Sequence, residues 1–334
     1  MILSASDAAI AQAAQTLREG QLVGLPTETV YGLAANATDD AAVAKIFVAK
    51  GRPADHPLIV HVASVDQVAL FASQVPEFAQ RLMAAFWPGP LTLILPRLSG
   101  VAAASAGGQD SIGLRCPSHP VAQALLLACL PLGVWGVSAP SANRFGRVSP
   151  TSAAHVQSEL GPELLILDGG ECDVGIESTI IDCTRGEPVL LRPGHITRSQ
   201  IEAVCGRAVL DKDAPQALLG QPAPRASGTL ESHYAPRAKV CLMTAADITR
   251  KLQALGPHAN NLGLWSVERT AGDEGFAAGV LWRHQATTPE QAAHDLFSVL
   301  RDLDARGVTQ IWVQLPPDTP EWEGVRDRLQ RAAA

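Results

Sequence analysis

Two short polar signatures sit at the ends of apolar runs, and both carry groups suited to an anionic ligand. Lys50-Gly51-Arg52-Pro53 closes a helix-like stretch and precedes Leu58-Ile59-Val60-His61-Val62, while Ser138-Ala139-Pro140-Ser141-Ala142-Asn143 follows Val134-Trp135-Gly136-Val137. Arginine offers a planar fork and lysine a compact charge, so either suits phosphate or carboxylate. Thr29, Arg115, Ser149, Ser178 and Arg192 repeat the pattern, nearly all at a candidate strand end or in the loop beside one. Open α/β sheets build ligand clefts at such ends. A cleft with several cations and hydroxyls suits a polyphosphate together with a small carboxylate. No P-loop, H-E-x-x-H, G-x-S-x-G or EF-hand pattern is present.

Singly, each residue has a plainer reading. Lys50 and Arg52 could form the solvated last turn of a helix, favoured there by the dipole. His61, inside an apolar run, could be a core histidine. Arg115 could make an edge salt bridge, Ser141 and Asn143 could be turn residues after Pro140, and His233-Tyr234 could pack between domains. The joint pattern argues for a cleft.

The elements that would position these groups are set by periodicity and caps. A helix is expected over 6–19, opened by Ser6 and Asp7 and ended by Gly20, then a strand at 22–25. Thr38-Asp39-Asp40 open a second helix ending near Lys50. Strands are expected at 58–62, 91–95, 111–115 and 134–138, with helices at 64–72, 76–86 and 119–130. After residue 160 strand signals crowd at 164–167, 179–181 and 189–191, which suggests a partly antiparallel sheet, closed by a helix at 197–205. Residues 211–237 hold prolines 215, 222, 224 and 236 and read as a linker, yet they contain the polar cluster running from Ser227 to Tyr234. From Lys239 the pattern restarts as three strand–helix repeats, a small Rossmann-like unit without a G-x-G-x-x-G. The fold class is therefore α/β: a twisted mixed parallel/antiparallel sheet with flanking helices, plus a smaller Rossmann-like C-terminal domain. The division is 1–206, a linker at 207–237, and 238–334.

Composition sets bounds. With 334 residues, 47% of them hydrophobic and 18% charged, the chain can bury a large core in about two domains. A net charge of -7 and 4% aromatics argue against a broad RNA-binding face. The six scattered cysteines form no C-x-x-C, which fits a reducing cytosol rather than zinc or disulfides. No signal peptide or membrane span is read, so a cytoplasmic protein is expected.

The segments Pro26–Leu33, Lys50–Pro53, Pro57–His61, Trp87–Thr92, Ser138–Asn143, Gly175–Ile181 and Leu191–Gly194 closely resemble the YrdC-like family in order and spacing, across residues 1–205. The linker and C-terminal unit resemble its long, two-domain form. The resemblance implies that L-threonine, bicarbonate (or carbon dioxide) and ATP give threonylcarbamoyl-AMP and pyrophosphate. The product would pass to the transferase machinery that completes threonylcarbamoyladenosine on tRNA, without stable tRNA binding here. It also implies roles: Thr29, His61, Arg115, Ala139 (through its main chain) and Ser178 for threonine, and Lys50, Arg52, His56, Ser111, Ser141, Asn143, Ser149 and Arg192 for ATP. Lys50 and Arg52 would serve catalysis. Ser111 stands where Thr is frequent and His56 where Asn is common. His233 and Tyr234 resemble a lid over the site. Mg²⁺ is expected with the phosphates, held by them and by water, with no residue assigned as its ligand. The alternatives are an RNA-binding module, or a carbamoyl-AMP-forming maturation enzyme, whose acylphosphatase-like and zinc-finger segments this chain lacks.

Overall fold

The computed structural model describes residues 1–214, 223–228, 233–255, 260–268 and 279–334. They form two compact units, Met1–Phe145 with Ser149–Thr229, and Gly146–Val148 with Leu230–Ala334. The linker range 207–237 is thus shared between them.

The first unit is built on an 11-stranded sheet. Its strands are β1 (Ile2–Ser4), β2 (Val23–Leu25), β3 (Gly32–Asn36), β4 (Ile59–His61), β5 (Leu91–Pro96), β6 (Ser111–Arg115), β7 (Val137–Ser138), β8 (Leu165–Asp168), β9 (Thr179–Asp182), β10 (Val189–Arg192) and β11 (Leu210–Asp211). They lie in the order β1-β8-β2-β3-β7-β4-β6-β5-β9-β10-β11. Pairing is mixed: β4 with β6 and β5 with β9 are parallel, whereas β5 with β6 and β9 with β10 are antiparallel.

Caps set the helices as expected. Ser6 accepts from the Ala9 amide to open Asp7–Arg18. Asp39 accepts from Ala41 and Ala42 to open Asp40–Lys50, and Gly51 closes that helix at φ 63°, a left-handed conformation in which glycine carries no Cβ penalty. The stretch expected as helix over 64–72 is instead a 3₁₀ turn, Val65–Leu70, started by a Ser64/Gln67 capping box. The strand expected at 134–138 shortens to Val137–Ser138, with Gly136 lying close against the Phe71 ring just before it.

Strand alternation separates core from cleft. Val60, Leu91, Leu93, Leu95, Ile112, Leu114 and Ile181 point into one hydrophobic core. Their neighbours Ile59, His61, Thr92, Ser111, Gly113, Arg115 and Ile180 take the other face. One irregularity places a cation there. Leu190 pairs with Ile181 but Arg192 pairs with Ile180, so one extra residue is inserted in β10. A bulge of this kind reverses the facing of the residues beyond it. Arg192 therefore stands opposite Ile180 on the cleft face.

The second unit holds β12 (Lys239–Met243), β13 (Leu262–Ser266), β14 (Val280–His284) and β15 (Gln310–Gln314), ordered β12-β15-β13-β14 and all parallel. Helices Ala245–Leu255, Pro289–Ala305 and Glu323–Ala333 flank it. The sequence pattern predicts three strands here, two of them placed at 240–242 and 311–313, and four form among the described residues, with β14 at the edge. It is an edge strand without a fully buried residue, and its Arg283 pairs with Asp302, so its apolar signal is weak. No helix among the described residues is long and apolar enough to cross a membrane.

Candidate active site

The cleft face of β6 carries Ser111, Gly113 and Arg115 in line, beside Ile59 and His61 of β4 in register with Gly113 and Arg115. A pocket at the Ser111 end is lined by Pro57, Ile59, Thr92, Gly113, Ile180 and Ser227 among others. The track runs from this pocket towards the buried Arg115.

Arg115 is held on three sides. Its Nη1 donates to Thr29 Oγ1 at 2.7 Å, its Nε to the Gly89 carbonyl at 3.3 Å, and its Nη2 lies 2.8 Å from Glu28 Oε1. Thr29 and Thr27 hydroxyls are 2.9 Å apart, and Thr27 donates to the Val30 carbonyl, so the Thr29 hydroxyl must be the donor to Thr27. The donor direction thus runs Arg115, Thr29, Thr27, Val30. The ion pair is buried, not an edge salt bridge. Burial raises the Glu28 pKa, but Arg115 and nearby amides outweigh it and hold the carboxyl below its usual value. His61 is buried with Nδ1 3.3 Å from the Ile59 carbonyl. Burial, then the Arg115 charge, pushes its pKa down to about 3, so the imidazole is neutral.

The lysine and arginine signature is not solvated. Lys50 is 3% exposed, and its Nζ donates to the carbonyls of both Ser141 and Asn143. The Phe145 amide donates back to the Lys50 carbonyl at 2.8 Å. One residue thus pins the 141–145 loop to a helix end. Burial, then Arg52, presses the Lys50 pKa well below that of free lysine. Arg52 donates to the Pro57 carbonyl at 2.9 Å and to Ser227 Oγ at 3.4 Å, with its guanidinium 5.9 Å from the Phe145 ring centre. His56 meets the same ring edge-on at 5.4 Å, and burial and Arg52 lower its pKa.

Arg192 completes the set. Its Nε and Nη2 form a fork on the Ser178 carbonyl at 3.0 and 2.9 Å, and Nη2 also reaches Ser178 Oγ at 3.1 Å. Nη1 donates to the Ser227 carbonyl at 3.0 Å, so Arg52 and Arg192 converge on one residue. Ser178 Oγ lies 2.8 Å from Thr92 Oγ1. Ser149 donates a short hydrogen bond to the buried Glu177. Asn143 donates to the Arg144 carbonyl at 2.7 Å, and Ser141 bridges to Gly32. The Ala139 amide is committed to the Ile59 carbonyl at 3.0 Å, which leaves any main-chain contact from this residue to its carbonyl.

His233 and Tyr234 belong to the second unit. Tyr234, at φ 63°, is buried with its ring 5.4 Å from Phe297 and 5.4 Å from the Arg328 guanidinium, and His233 meets it edge-on at 4.1 Å. Residues 229–232 of the expected lid lie outside the described residues. Ser227 belongs to the first unit.

Glu28, Glu177, Thr92 and Phe145 touch the site without having been singled out in the sequence, whereas Ser227 opens the polar cluster read in the linker. Glu28 lies between Thr27 and Thr29, and Glu177 precedes Ser178-Thr179. A carboxylate flanked by hydroxyls in an otherwise apolar stretch was the available signal.

Known proteins resemble both units. The Sua5/YciO/YrdC family, described as telomere recombination, matches residues 15–194, and the threonylcarbamoyl-AMP synthase C-terminal domain matches 196–334. A threonylcarbamoyl-AMP synthase of Pyrococcus abyssi is 40% identical over 336 residues, covering 96% of this chain and 93% of the relative. That of Bacillus subtilis is 40% identical over 338 residues, covering 99% and 94%. The crystal structure of P. abyssi Sua5 complexed with L-threonine superposes with a TM-score of 0.87 at 38% identity, covering 100% of this chain and 97% of that one.

Proposed function

We propose, from the premise that this chain belongs to the threonylcarbamoyl-AMP synthase family in its two-domain form, that it joins L-threonine, bicarbonate (or carbon dioxide) and ATP into threonylcarbamoyl-AMP and pyrophosphate. This is adenylyl transfer, the work of a nucleotidyltransferase. The threonine amine and bicarbonate first give a carbamate and water. A carbamate oxygen then attacks the α-phosphate, and the bond to pyrophosphate breaks. No side-chain nucleophile is required. The protein's contribution is to hold two anions in line and to stabilise charge on the transferring and leaving oxygens.

The observation that carries this reading is one cleft face with Arg115 at one end and Arg52 and Arg192 converging on Ser227 at the other. Arg115, with Thr29, neutral His61, Ala139 and Ser178, serves the amino acid. Arg52, Arg192, Lys50, His56, Ser111, Ser141, Asn143 and Ser149 serve the nucleotide, Lys50 by fixing the 141–145 loop. Mg²⁺ would enter with the phosphates and be held mainly by them and by water, with no protein residue assigned as its ligand. When bound it neutralises phosphate charge. His233 and Tyr234 are proposed as a lid. The product passes to a tRNA threonylcarbamoyl transferase in the cytoplasm, and a net charge of -7 argues against stable tRNA binding here.

Pyrophosphate release should require threonine, bicarbonate and Mg-ATP together. Release independent of threonine, or none with all present, overturns the assignment.

A further inference from the structure

Glu28 sits at the buried end of the track with its side chain 6% exposed, against 5% for Arg115. Oε1 is 2.8 Å from Arg115 Nη2, but the approach is not aligned as a hydrogen bond. Neither Glu28 oxygen has an aligned donor among the described residues, and Nη2 has no aligned acceptor. The Glu28 and Ser118 amides are near enough to favour the charged carboxylate without meeting that geometry. Arg115's other nitrogens, Nη1 and Nε, are engaged by Thr29 and Gly89. Buried polar groups are rarely left so.

The charge balance adds to this. A lone buried guanidinium would take any small carboxylate. Paired with Glu28 it carries no net charge, and neutral His61 beside it adds none. A ligand bringing only a carboxylate would separate Arg115 from its counter-ion and leave Glu28 buried and unpaired, which is costly. A ligand bringing both a cation and an anion can satisfy both.

We propose that Glu28 is the specificity residue for the substrate's α-ammonium group, so that the Glu28–Arg115 pair recognises a zwitterionic α-amino acid and rejects the corresponding des-amino acid. This rests on the proposed function, in which Arg115 lies in an amino-acid pocket. It concerns binding of the free amino acid, before its nitrogen becomes part of the carbamate.

The test is calorimetric titration of the full chain with L-threonine and with its des-amino analogue, 3-hydroxybutanoate. The wild type should prefer threonine by about 100-fold or more, as sites with buried polar groups do against ligands that leave them unpaired. In Glu28→Gln, threonine should weaken at least about tenfold while 3-hydroxybutanoate tightens, bringing the two within about threefold of one another, because Arg115 is then an uncompensated cation. A residue that only supported the fold would weaken both in parallel. Should Glu28→Gln not fold, Glu28→Asp keeps the charge on a shorter arm, and threonine alone should weaken. Threonine binding by the wild type with unchanged discrimination in the variant, or equal loss of both ligands, overturns this inference alone. No threonine binding by the wild type overturns the amino-acid pocket and this inference with it.

Discussion

Lys50→Met separates a loop anchor from a surface charge. Methionine keeps the apolar stem and removes the ammonium. Two donations are lost, to the Ser141 and Asn143 carbonyls, in a site where Lys50 is 3% exposed. Hydrogen bonds from a charged group contribute roughly 1.5–3 kcal/mol each, so the gross loss is about 3–6 kcal/mol. Removing a cation whose burial is itself unfavourable returns part of this, leaving a net loss of about 2–4 kcal/mol. For a unit of this size each kcal/mol moves Tm by about 2–4 °C, so a fall on the order of 5–15 °C is expected. Arginine should not rescue it, since a planar guanidinium is larger than the ammonium's place between two carbonyls. Activity should fall further than stability, because Asn143, Ser141 and Phe145 all belong to the loop that Lys50 holds. Differential scanning calorimetry and pyrophosphate release at saturating ATP measure the two effects. A variant that melts within about 1 °C of wild type and turns over normally would refute the anchor and restore the solvated-turn reading, for which surface substitutions within about 0.5 kcal/mol are typical.

Arg192→Lys should raise the KM for ATP by about 10–100-fold and that for threonine by less, because one ammonium cannot replace both the reach to Ser227 and the fork that holds Ser178 of the amino-acid pocket; steady-state kinetics with each substrate varied checks this. His61 should show no ring titration by NMR between pH 5 and 8. Its depressed pKa also means that the unfolded chain binds a proton the fold refuses between about pH 6.5 and 3, so stability should drop with acid at up to about 1.4 kcal/mol per pH unit in that window, and urea unfolding of His61→Phe should lose that slope. Gly194→Ala should destabilise by about 1–3 kcal/mol in urea, since an added Cβ would lie 2.5 Å from the Thr179 amide nitrogen and 2.8 Å from the Glu177 carbonyl oxygen.

The sheet was legible because its strands obey a simple alternation. On β6 the polar and apolar positions in Ser111-Ile-Gly-Leu-Arg115 already divide cleft from core, and Asp39 and Gly51 mark both ends of the helix that delivers Lys50. Strand order was not legible, since it depends on which distant segments pair. β8 inserts between β1 and β2, and β7 between β3 and β4, pairings that no local pattern encodes. Arg192 shows the limit well. Strict alternation from Leu190 would have turned it into the core, and only the bulge brings it to the cleft. The plainer readings divide similarly. His61 is indeed a buried neutral histidine, yet it stands in register with Arg115. Composition could say that cations gather here, but not that each would already hold a partner.

Those partners bear on how such a cleft remains folded between turnovers. Several buried cations facing one another would repel and draw the site apart, in a chain whose net charge of -7 offers only distant compensation. The fold answers locally. Glu28 faces Arg115, paired carbonyls meet Lys50, and Ser178 and Ser227 carbonyls meet Arg192. Ligand binding is then an exchange of acceptors rather than the filling of bare charge, and affinity is the difference between two well-satisfied states. Such a site favours ligands that match several donors at once over those that merely carry negative charge. The positions whose internal partners are least well aligned, Glu28 and Arg115 Nη2, are the ones where that exchange has most to gain.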